Sequence, residues 1–332
     1  MGTPGFPCRE YSMAALRRWI DPYLLMLLGT VGLAALFPAR GMWASIADEA
    51  VTIAVALLFF LYGARLAPSA IWAGLTNWRL QLTVFLSTFL FFPLIGLGAY
   101  AIAGHVLPGG IALGILFLCL LPSTVQSSIA FTSIARGNVP AALCSASLSN
   151  LIGVIITPLL AALLLPHGSG AGFSLGQLES IAMQILLPFA AGQAARPLIG
   201  GFILKHRVLT MVVDRGSILL VVYAAFSEGM VAGVWTQVSL ADLALVLAFN
   251  AVLLGVVIAV TMVGSRRLGF STEDEIAIVF CGSKKSMASG IPMATILFPG
   301  GAVSLIVLPL MIFHQLQLFV CAVLARRYGV RP

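Results

Sequence analysis

The chain has 332 residues, of which 60% are hydrophobic and only 9% are charged. A soluble domain carries roughly 25% charged residues, so this composition excludes an ordinary water-soluble globular protein. The formal net charge is +7, but the basic residues do not form one patch. We therefore expect a lipid bilayer, and no nucleic acid, as the partner of this chain.

Apolar runs of ~20 residues, the length that a helix needs to cross a bilayer, recur along the whole sequence. The alternating polarity of a β-barrel is absent. The pattern predicts an all-α integral membrane protein with ten transmembrane helices. In chain order the predicted spans are 22-39, 47-66, 80-104, 109-131, 139-165, 177-199, 209-231, 240-264, 274-297 and 302-325. The first span is interpreted as a retained anchor, because it is long and has no obvious small-x-small cleavage site before Arg40.

The basic residues predict the orientation of these spans. If the chain starts inside and crosses ten times, only Arg40 falls on the outer side, and Lys284 and Lys285 lie within a span. The positive-inside rule assigns the basic side to the cytoplasm. We therefore expect a multi-pass protein of a bacterial cytoplasmic (inner) membrane, with both termini in the cytoplasm.

The two halves of the chain show weak but ordered similarity. Residues 1-165 comprise an N-terminal cytoplasmic segment and five spans, and residues 166-332 comprise five more. Because five is odd, the second half enters the membrane with the opposite orientation, which predicts an inverted repeat. In transporters of that design the substrate lies near the midplane at broken helices, and access alternates between the two sides.

The fourth span is interrupted by Pro122 and by a cluster of polar side chains. Proline removes a backbone donor and predicts a kink or a break. One interpretation is a proline kink whose carbonyls are satisfied by neighbouring hydroxyls. The other is a binding site for a cation or a polar substrate. The candidate residues are Ser123, Thr124, Gln126, Ser127 and Ser128.

The ninth span contains two adjacent lysines at membrane depth. A charge there costs at least ~2.5 kcal/mol on insertion scales, so such residues usually mark a transport path. Successive helical residues point roughly 100° apart, so at most one lysine is expected to face a site unless the backbone is unwound. The candidate residues here are Gly282, Ser283, Lys284, Lys285 and Ser286.

The fifth span adds Ser145, Ser149 and Asn150. Two serines four residues apart lie on one helix face, where they more often serve close helix packing than ligand binding. Asn150 is harder to explain by packing. Asn250, His314, Gln315 and Gln317 are weaker candidates, for which an interhelical hydrogen bond is the default interpretation.

Two segments carry a resemblance to a known family. PSTVQSSIAFTSIARGNV, followed by LCSASLSNLIGVIITPLL, resembles the bile acid:sodium symporter family. FCGSKKSMASGIPMA resembles the branch of that family that contains the seventh member of animal solute carrier family 10 and many bacterial proteins. The resemblance implies a panel domain (spans 1, 2, 6 and 7) and a core domain (spans 3–5 and 8–10). It also implies that the broken fourth and ninth helices cross beside two sodium sites and that organic anions are cotransported with sodium.

The sodium ligands that this resemblance implies are only partly present. The serine of the fourth helix is kept at Ser128, but the positions of the other side-chain ligands hold Ile129, Ala142, Ala146, Phe280, Lys284 and Lys285. We therefore expect atypical sodium sites, with no certain metal ligand and no cofactor. The candidate coupling ions are Na+ and H+, and a lysine ammonium could take the place of a sodium ion.

These observations lead to two functional hypotheses. The first is a secondary active transporter of a small organic anion that works by alternating access. The alternative is a membrane-embedded regulator of ion homeostasis built on a transporter frame. An enzyme is not expected, because HExxH and paired intramembrane carboxylates are absent.

Overall fold

A computed structural model describes residues 22–65, 77–166, 182–298 and 302–330, and within these ranges the regular structure is helical, with no strand. The predicted N-terminal segment and the start of the sixth span lie outside these residues. The helices are α1 (Pro22–Leu36), α2 (Met42–Arg65), α3 (Trp78–Ala103), α4a (Gly109–Leu120), α4b (Gln126–Ile134), α5 (Val139–Leu164), α6 (Leu187–Lys205), α7 (Arg207–Val231), α8 (Leu240–Arg267), α9a (Thr272–Gly282), α9b (Met287–Leu297) and α10 (Val303–Gly329).

Six of the described helices are long and apolar enough to cross a membrane, namely α2, α3, α5, α7, α8 and α10. Shorter apolar helices occupy Leu25–Leu36 and Gly109–Leu120. The all-helical, membrane-spanning class predicted from composition is therefore confirmed.

The described helices pack into two groups. In the first group, α2 lies against α6 and α7, and α1 lies against α7. The contact between α2 and α6 is a contact of backbones, because a side chain at Gly63 would collide with the carbonyl of Phe189 and one at Gly192 with the carbonyl of Phe60. Only glycine permits this approach.

The second group consists of the remaining helices. In it, α4a packs between α3 and α10, and α9a contacts α3, α4b, α5 and α8. Helix α7 joins the two groups, since it touches both α9b and α10. At this junction a Cβ on Gly229 would meet the Ser304 side chain.

The predicted interruptions of the fourth and ninth spans are both true breaks. Helix α4a ends at Leu120, just before Pro122, and α4b begins at Gln126 without a side-chain cap. Helix α9a ends at Gly282, and α9b begins after Ser286, whose hydroxyl accepts the Ser289 N–H at 3.2 Å. A third irregularity was not predicted: residues Ser87–Phe91 of α3 form a π-turn followed by Pro93. Such turns are frequent at functional sites.

Candidate functional site

The two helix breaks lie against each other and are joined by hydrogen bonds. The Ser123 hydroxyl donates to the Cys281 carbonyl at 2.5 Å, and the Ser128 hydroxyl donates to the Phe280 carbonyl at 2.9 Å. In the opposite direction, the Ser286 N–H donates to the Pro122 carbonyl at 2.8 Å. Each break therefore satisfies backbone groups that the other leaves without helical partners.

Neighbouring helices supply partners for the carbonyls that remain free in the α4 break. The Thr157 hydroxyl of α5 donates to the Leu120 carbonyl at 2.9 Å, and the Asn150 amide donates to the Ser123 carbonyl at 2.6 Å. The Ser149 hydroxyl accepts the Ser123 N–H at 3.0 Å. In a membrane every such group must be satisfied internally, so α5 stabilises the break.

The ammonium of Lys285 satisfies three further carbonyls. Lys285 is fully buried, and its Nζ donates to the carbonyls of Thr88 at 2.9 Å, Cys119 at 2.8 Å and Leu121 at 2.7 Å. The Nζ also lies 4.1 Å from the ring centroid of Phe92. A protonated lysine has three N–H donors, and three backbone acceptors match them one to one.

The local sequence explains why these carbonyls are free. In the π-turn of α3, the Phe92 N–H bonds to the Ser87 carbonyl, and the next residue, Pro93, has no N–H to offer Thr88. Cys119 and Leu121 belong to the C-terminal end of α4a, where the helix dipole favours a cation.

The backbone of Lys285 is held as firmly as its side chain. Gln317 of α10 accepts the Lys285 N–H at 2.9 Å and donates to the Lys285 carbonyl at 3.0 Å. The Gln317 amide also bonds to the His314 ring at 2.9 Å. This amide pair holds the unwound peptide of the α9 break in place.

Lys284 is equally buried but has different surroundings. Within the described residues its Nζ has no hydrogen-bond partner. It lies instead over two aromatic rings, with centroids at 4.1 Å for Phe131 and 5.3 Å for Phe280. Such ring faces attract a cation, by about 2 kcal/mol or more where water is excluded.

A cavity of about 440 Å³ lies between the two helix groups. The second group contributes both breaks to its wall, through Thr124, Gln126, Ser127, Ser286, Met287, Ala288 and Ser289. The first group contributes Tyr23, Tyr62, Arg65, Phe189, Met211, Asp214, Arg215 and Ile218. Ser147, Asn150 and His314 complete the polar part of the lining.

The electrostatics of this cavity favour a negative ligand. The N-terminal ends of α4b and α9b both reach its wall, and helix N-termini carry partial positive charge. Arg65 is paired with Asp214 at 2.6 Å, whereas the Arg215 guanidinium lies 5.1 Å from the ring centroid of Tyr23. The formal side-chain charge of the wall is therefore positive, with two arginines against one aspartate.

Comparison with known proteins decides the family. Residues 21–329 match the SBF-like CPA transporter family. The chain belongs to this family. Since the described helices include six of membrane-spanning length, this family member is a multi-pass membrane protein.

Relatives are found in bacteria and animals. "Uncharacterized protein PA2026" of Pseudomonas aeruginosa is 53% identical over 94% of this chain and 93% of the relative. "Putative symporter YfeH" of Escherichia coli is 51% identical over 94% of each chain. "Sodium/bile acid cotransporter 7" of mouse is 27% identical over 93% of this chain and 92% of the relative. The resemblance to the bile acid:sodium symporter type is thus confirmed.

The candidate site residues proposed from the sequence divide into two sets. Those that line the cavity are Thr124, Gln126, Ser127, Asn150 and Ser286. Those that lie outside its wall, buried at or near the breaks, are Ser123, Ser128, Ser145, Ser149, Gly282, Ser283, Lys284 and Lys285. Neither lysine lines the cavity, since the segment that carries them is unwound and both side chains are fully buried outside the cavity wall.

The buried set mostly satisfies backbone groups. The Ser283 hydroxyl donates to the Val279 carbonyl at 2.6 Å, and the Gly282 carbonyl accepts the Ser87 hydroxyl at 2.9 Å. The Ser145 hydroxyl donates to the Gln81 side chain at 2.8 Å. Among the weaker candidates, Asn250 donates to the Pro309 carbonyl at 2.9 Å and Gln317 bonds to the Lys285 backbone, both between helices, whereas His314 bonds to Gln317 within α10.

Sequence reasoning missed the contribution of the first helix group. The basic residues, including Arg65 and Arg215, were used only to predict orientation, and no residue of the first helix group was among the site candidates. The available signal was Asp214, a carboxylate at the edge of an apolar span, which needs a cationic partner when it is buried.

Three of the positions at which the family resemblance implies sodium ligands, Phe280, Ala142 and Ala146, pack their side chains against apolar neighbours. The Phe280 ring packs against Phe131 and Tyr328, with centroids at 5.9 Å and 6.4 Å. Ala142 and Ala146 belong to a buried apolar cluster with Leu80, Val84, Ala277, Ile278 and Cys281.

Proposed function

We propose that this SBF-like transporter is a secondary active transporter that moves a small organic anion by alternating access. The observation that carries the proposal is the cavity between the two helix groups, at which two half-helix N-termini and two arginines meet. Half-helix N-termini are the usual partners of anionic substrate groups in transporters with broken helices.

The cavity also suits a small amphipathic solute. Its volume of about 440 Å³ is in the range of roughly 300–1,000 Å³ typical of sites for small molecules. Tyr62, Phe189 and Met211 provide apolar wall on one side, and Thr124, Gln126 and Ser127 provide hydrogen-bonding groups on the other. A carboxylate on a short carbon skeleton would match both the apolar wall and the hydrogen-bonding groups.

We propose that the frame has ten spans in two inverted repeats, residues 1–165 and 166–332. In support, the breaks fall in the fourth and ninth helical segments, which are equivalent positions in the two halves. The two packing groups support a panel formed by α1, α2, α6 and α7, and a core formed by the other helices.

With both termini in the cytoplasm, this cavity opens inward. Tyr23, Arg65, Asp214 and Arg215 lie near the ends of α1, α2 and α7 that this topology assigns to the cytoplasmic side. At the opposite end of α7, the close contact of Gly229 with Ser304 closes the outer side. Rocking the panel against the core would close the cytoplasmic side of the cavity and open the outer side. This is the motion that alternating access requires.

Coupling to the usual pair of sodium sites is not part of the proposal. Phe280, Ala142 and Ala146 offer no side-chain oxygen, and their neighbours are apolar. Two buried lysines add positive charge beside these positions. A second cation a few ångströms away would be repelled strongly in this low-dielectric region. In this proposal a lysine ammonium takes the place of the bound sodium ion, and the candidate coupling ion is a proton.

Uptake into proteoliposomes tests the proposal. Purified protein is reconstituted, and uptake of radiolabelled acetate, lactate, pyruvate, pantoate and taurocholate is followed against empty liposomes. We expect saturable uptake of at least one of these anions. Folded protein that moves none of them, under any applied ion gradient, would contradict transport and favour a regulatory function.

A matched pair of arginine variants tests the location of the site. Arg215→Ala removes a charge from the cavity wall, whereas Arg267→Ala removes an exposed charge at the end of α8, outside the cavity. A hydrogen bond to a charged group contributes about 1.5–3 kcal/mol, so the first variant should raise the KM for the anion about tenfold or more. The second should leave it unchanged. Equal effects of the two would place the site elsewhere.

A further inference from the structure

Three backbone carbonyls around Lys285 form a site that is built for a primary ammonium ion. Thr88 of α3 contributes one acceptor, and Cys119 and Leu121 at the end of α4a contribute two, all at 2.7–2.9 Å from the Nζ. The ring of Phe92, with its centroid 4.1 Å away, adds the face of an aromatic side chain. The donors and acceptors are equal in number, and the ammonium is completely enclosed.

The acceptors are available because of the sequence of their own helices. Pro93 cannot donate to the Thr88 carbonyl, and α4a ends before Pro122, so that the Ser123 N–H, which would bond to the Cys119 carbonyl in a continuous helix, bonds to the Ser149 hydroxyl instead. Without a cation, these carbonyls would be buried and unsatisfied, at a cost of about 1–3 kcal/mol each. Their arrangement therefore favours the binding of a cationic donor, whether the chain itself or another molecule supplies it.

We infer that Thr88, Cys119, Leu121 and Phe92 form a binding site for a primary alkylammonium ion, which this chain fills with its own Lys285 as a tethered ligand. The tether is itself fixed, since Gln317 bonds to both the N–H and the carbonyl of Lys285. The site is separate from the cavity, because neither Lys285 nor its three acceptors line the cavity wall. The inference holds whether or not the substrate is an organic anion, so its test can fail independently of the uptake test.

Removing the tethered ligand should create a receptor for a free one. Lys285→Ala deletes the side chain beyond Cβ, and the missing part is propylammonium in both length and charge. The neutral amine form of that ion crosses membranes and can reach a buried site. Tetramethylammonium serves as the control cation, because it carries the same charge but has no N–H to donate.

Thermal unfolding of the purified variant in detergent gives the readout. We expect propylammonium to raise the apparent melting temperature of Lys285→Ala by about 4 °C at ~100 times its Kd. Ethylammonium and butylammonium, which are one carbon too short and one too long, should have smaller effects. Tetramethylammonium should have none.

Lys284→Ala is the matched control. It removes a neighbouring and equally buried lysine that has no hydrogen-bond acceptor within the described residues. Its melting temperature should be the same in propylammonium and in tetramethylammonium. The inference would be overturned if both variants responded alike, or if Lys285→Ala did not distinguish the two cations.

A second measurement applies if Lys285→Ala does not accumulate as a folded protein. Cells expressing the variant are grown with propylammonium or with tetramethylammonium, and the monodisperse fraction is measured by size-exclusion chromatography after solubilisation. An increase of several fold with propylammonium alone would support the site. Equal amounts of folded protein in the two cultures would count against it.

Discussion

Lys284 and Lys285 are adjacent in sequence and equally buried, yet their ammonium groups have very different surroundings. Lys285 donates to three carbonyls, whereas the Lys284 ammonium has no hydrogen-bond partner among the described residues and lies over the faces of Phe131 and Phe280. The unwound segment between α9a and α9b allows the two side chains to reach different helices. Burial of a charge therefore does not define its role; the groups around it do.

The largest effect is expected when Lys285 is replaced by methionine. Lys285→Met keeps the length of the side chain but leaves the carbonyls of Thr88, Cys119 and Leu121 without a donor. Leaving a buried carbonyl without a donor costs about 1–3 kcal/mol, so we expect the loss of all three bonds to cost about 3 kcal/mol or more. Equilibrium unfolding in mixed micelles of dodecyl maltoside and SDS measures the loss. A variant as stable as the unmodified protein would show that the carbonyls do not need the ammonium.

A smaller loss is expected when the backbone of Lys285 loses its partner. Gln317→Leu leaves the Lys285 N–H and carbonyl unpaired, which should cost about 2 kcal/mol in the same unfolding measurement. The control is Gln315→Leu, which replaces a half-buried glutamine on the same helix. It should change the stability by less than about 0.5 kcal/mol. Similar losses of unfolding free energy in the two variants would show that Gln317 has no special role in holding the Lys285 backbone.

The comparison predicts a change of opposite sign at Lys284. Lys284→Met removes a buried ammonium that has no hydrogen-bond acceptor in the described part of the chain. Replacing a buried charge by an apolar side chain of similar volume is often stabilising, and we expect a gain of about 1 kcal/mol. A loss as large as that of Lys285→Met would mean that the two lysines are held equally well.

The smallest effect concerns Pro93 and sharpens the account of the Thr88 carbonyl. Pro93→Ala restores an N–H in α3 that can bond to this carbonyl when the ammonium is absent. Lys285→Met should therefore cost about 1 kcal/mol less in the Pro93→Ala background, and a double-mutant cycle measures this difference. Additive effects would show that Pro93 is not the reason the carbonyl is free.

Much of the frame could be predicted from the sequence, because helix formation in a membrane depends on local properties. The length of the apolar runs predicted the helices, and the prolines and serines around Pro122 and Gly282 predicted the two breaks. These signals are carried by residues close together in the chain. The π-turn of α3 has no comparable signal, because Pro93 alone is compatible with a regular helix start or a simple kink.

The candidate site was predicted only in part, for a physical reason. Thr124, Gln126 and Ser286 were identified because polar residues in an apolar span are conspicuous. The acceptors of Lys285 are backbone carbonyls, which every residue has, so nothing in the sequence marks Thr88 or Cys119 as partners. Arg65 and Asp214 meet only after α2 packs on α7, and their pairing depends on a long-range contact.

Sodium dependence of transport tests the central claim that the positive charge at the breaks is supplied by the chain itself. Uptake of the most rapidly transported carboxylate is compared in proteoliposomes with inward gradients of sodium or of choline at equal ionic strength. The account predicts equal initial rates for the unmodified protein in the two salts. A rate that rises several fold with sodium, while Lys284 and Lys285 are intact, would contradict it.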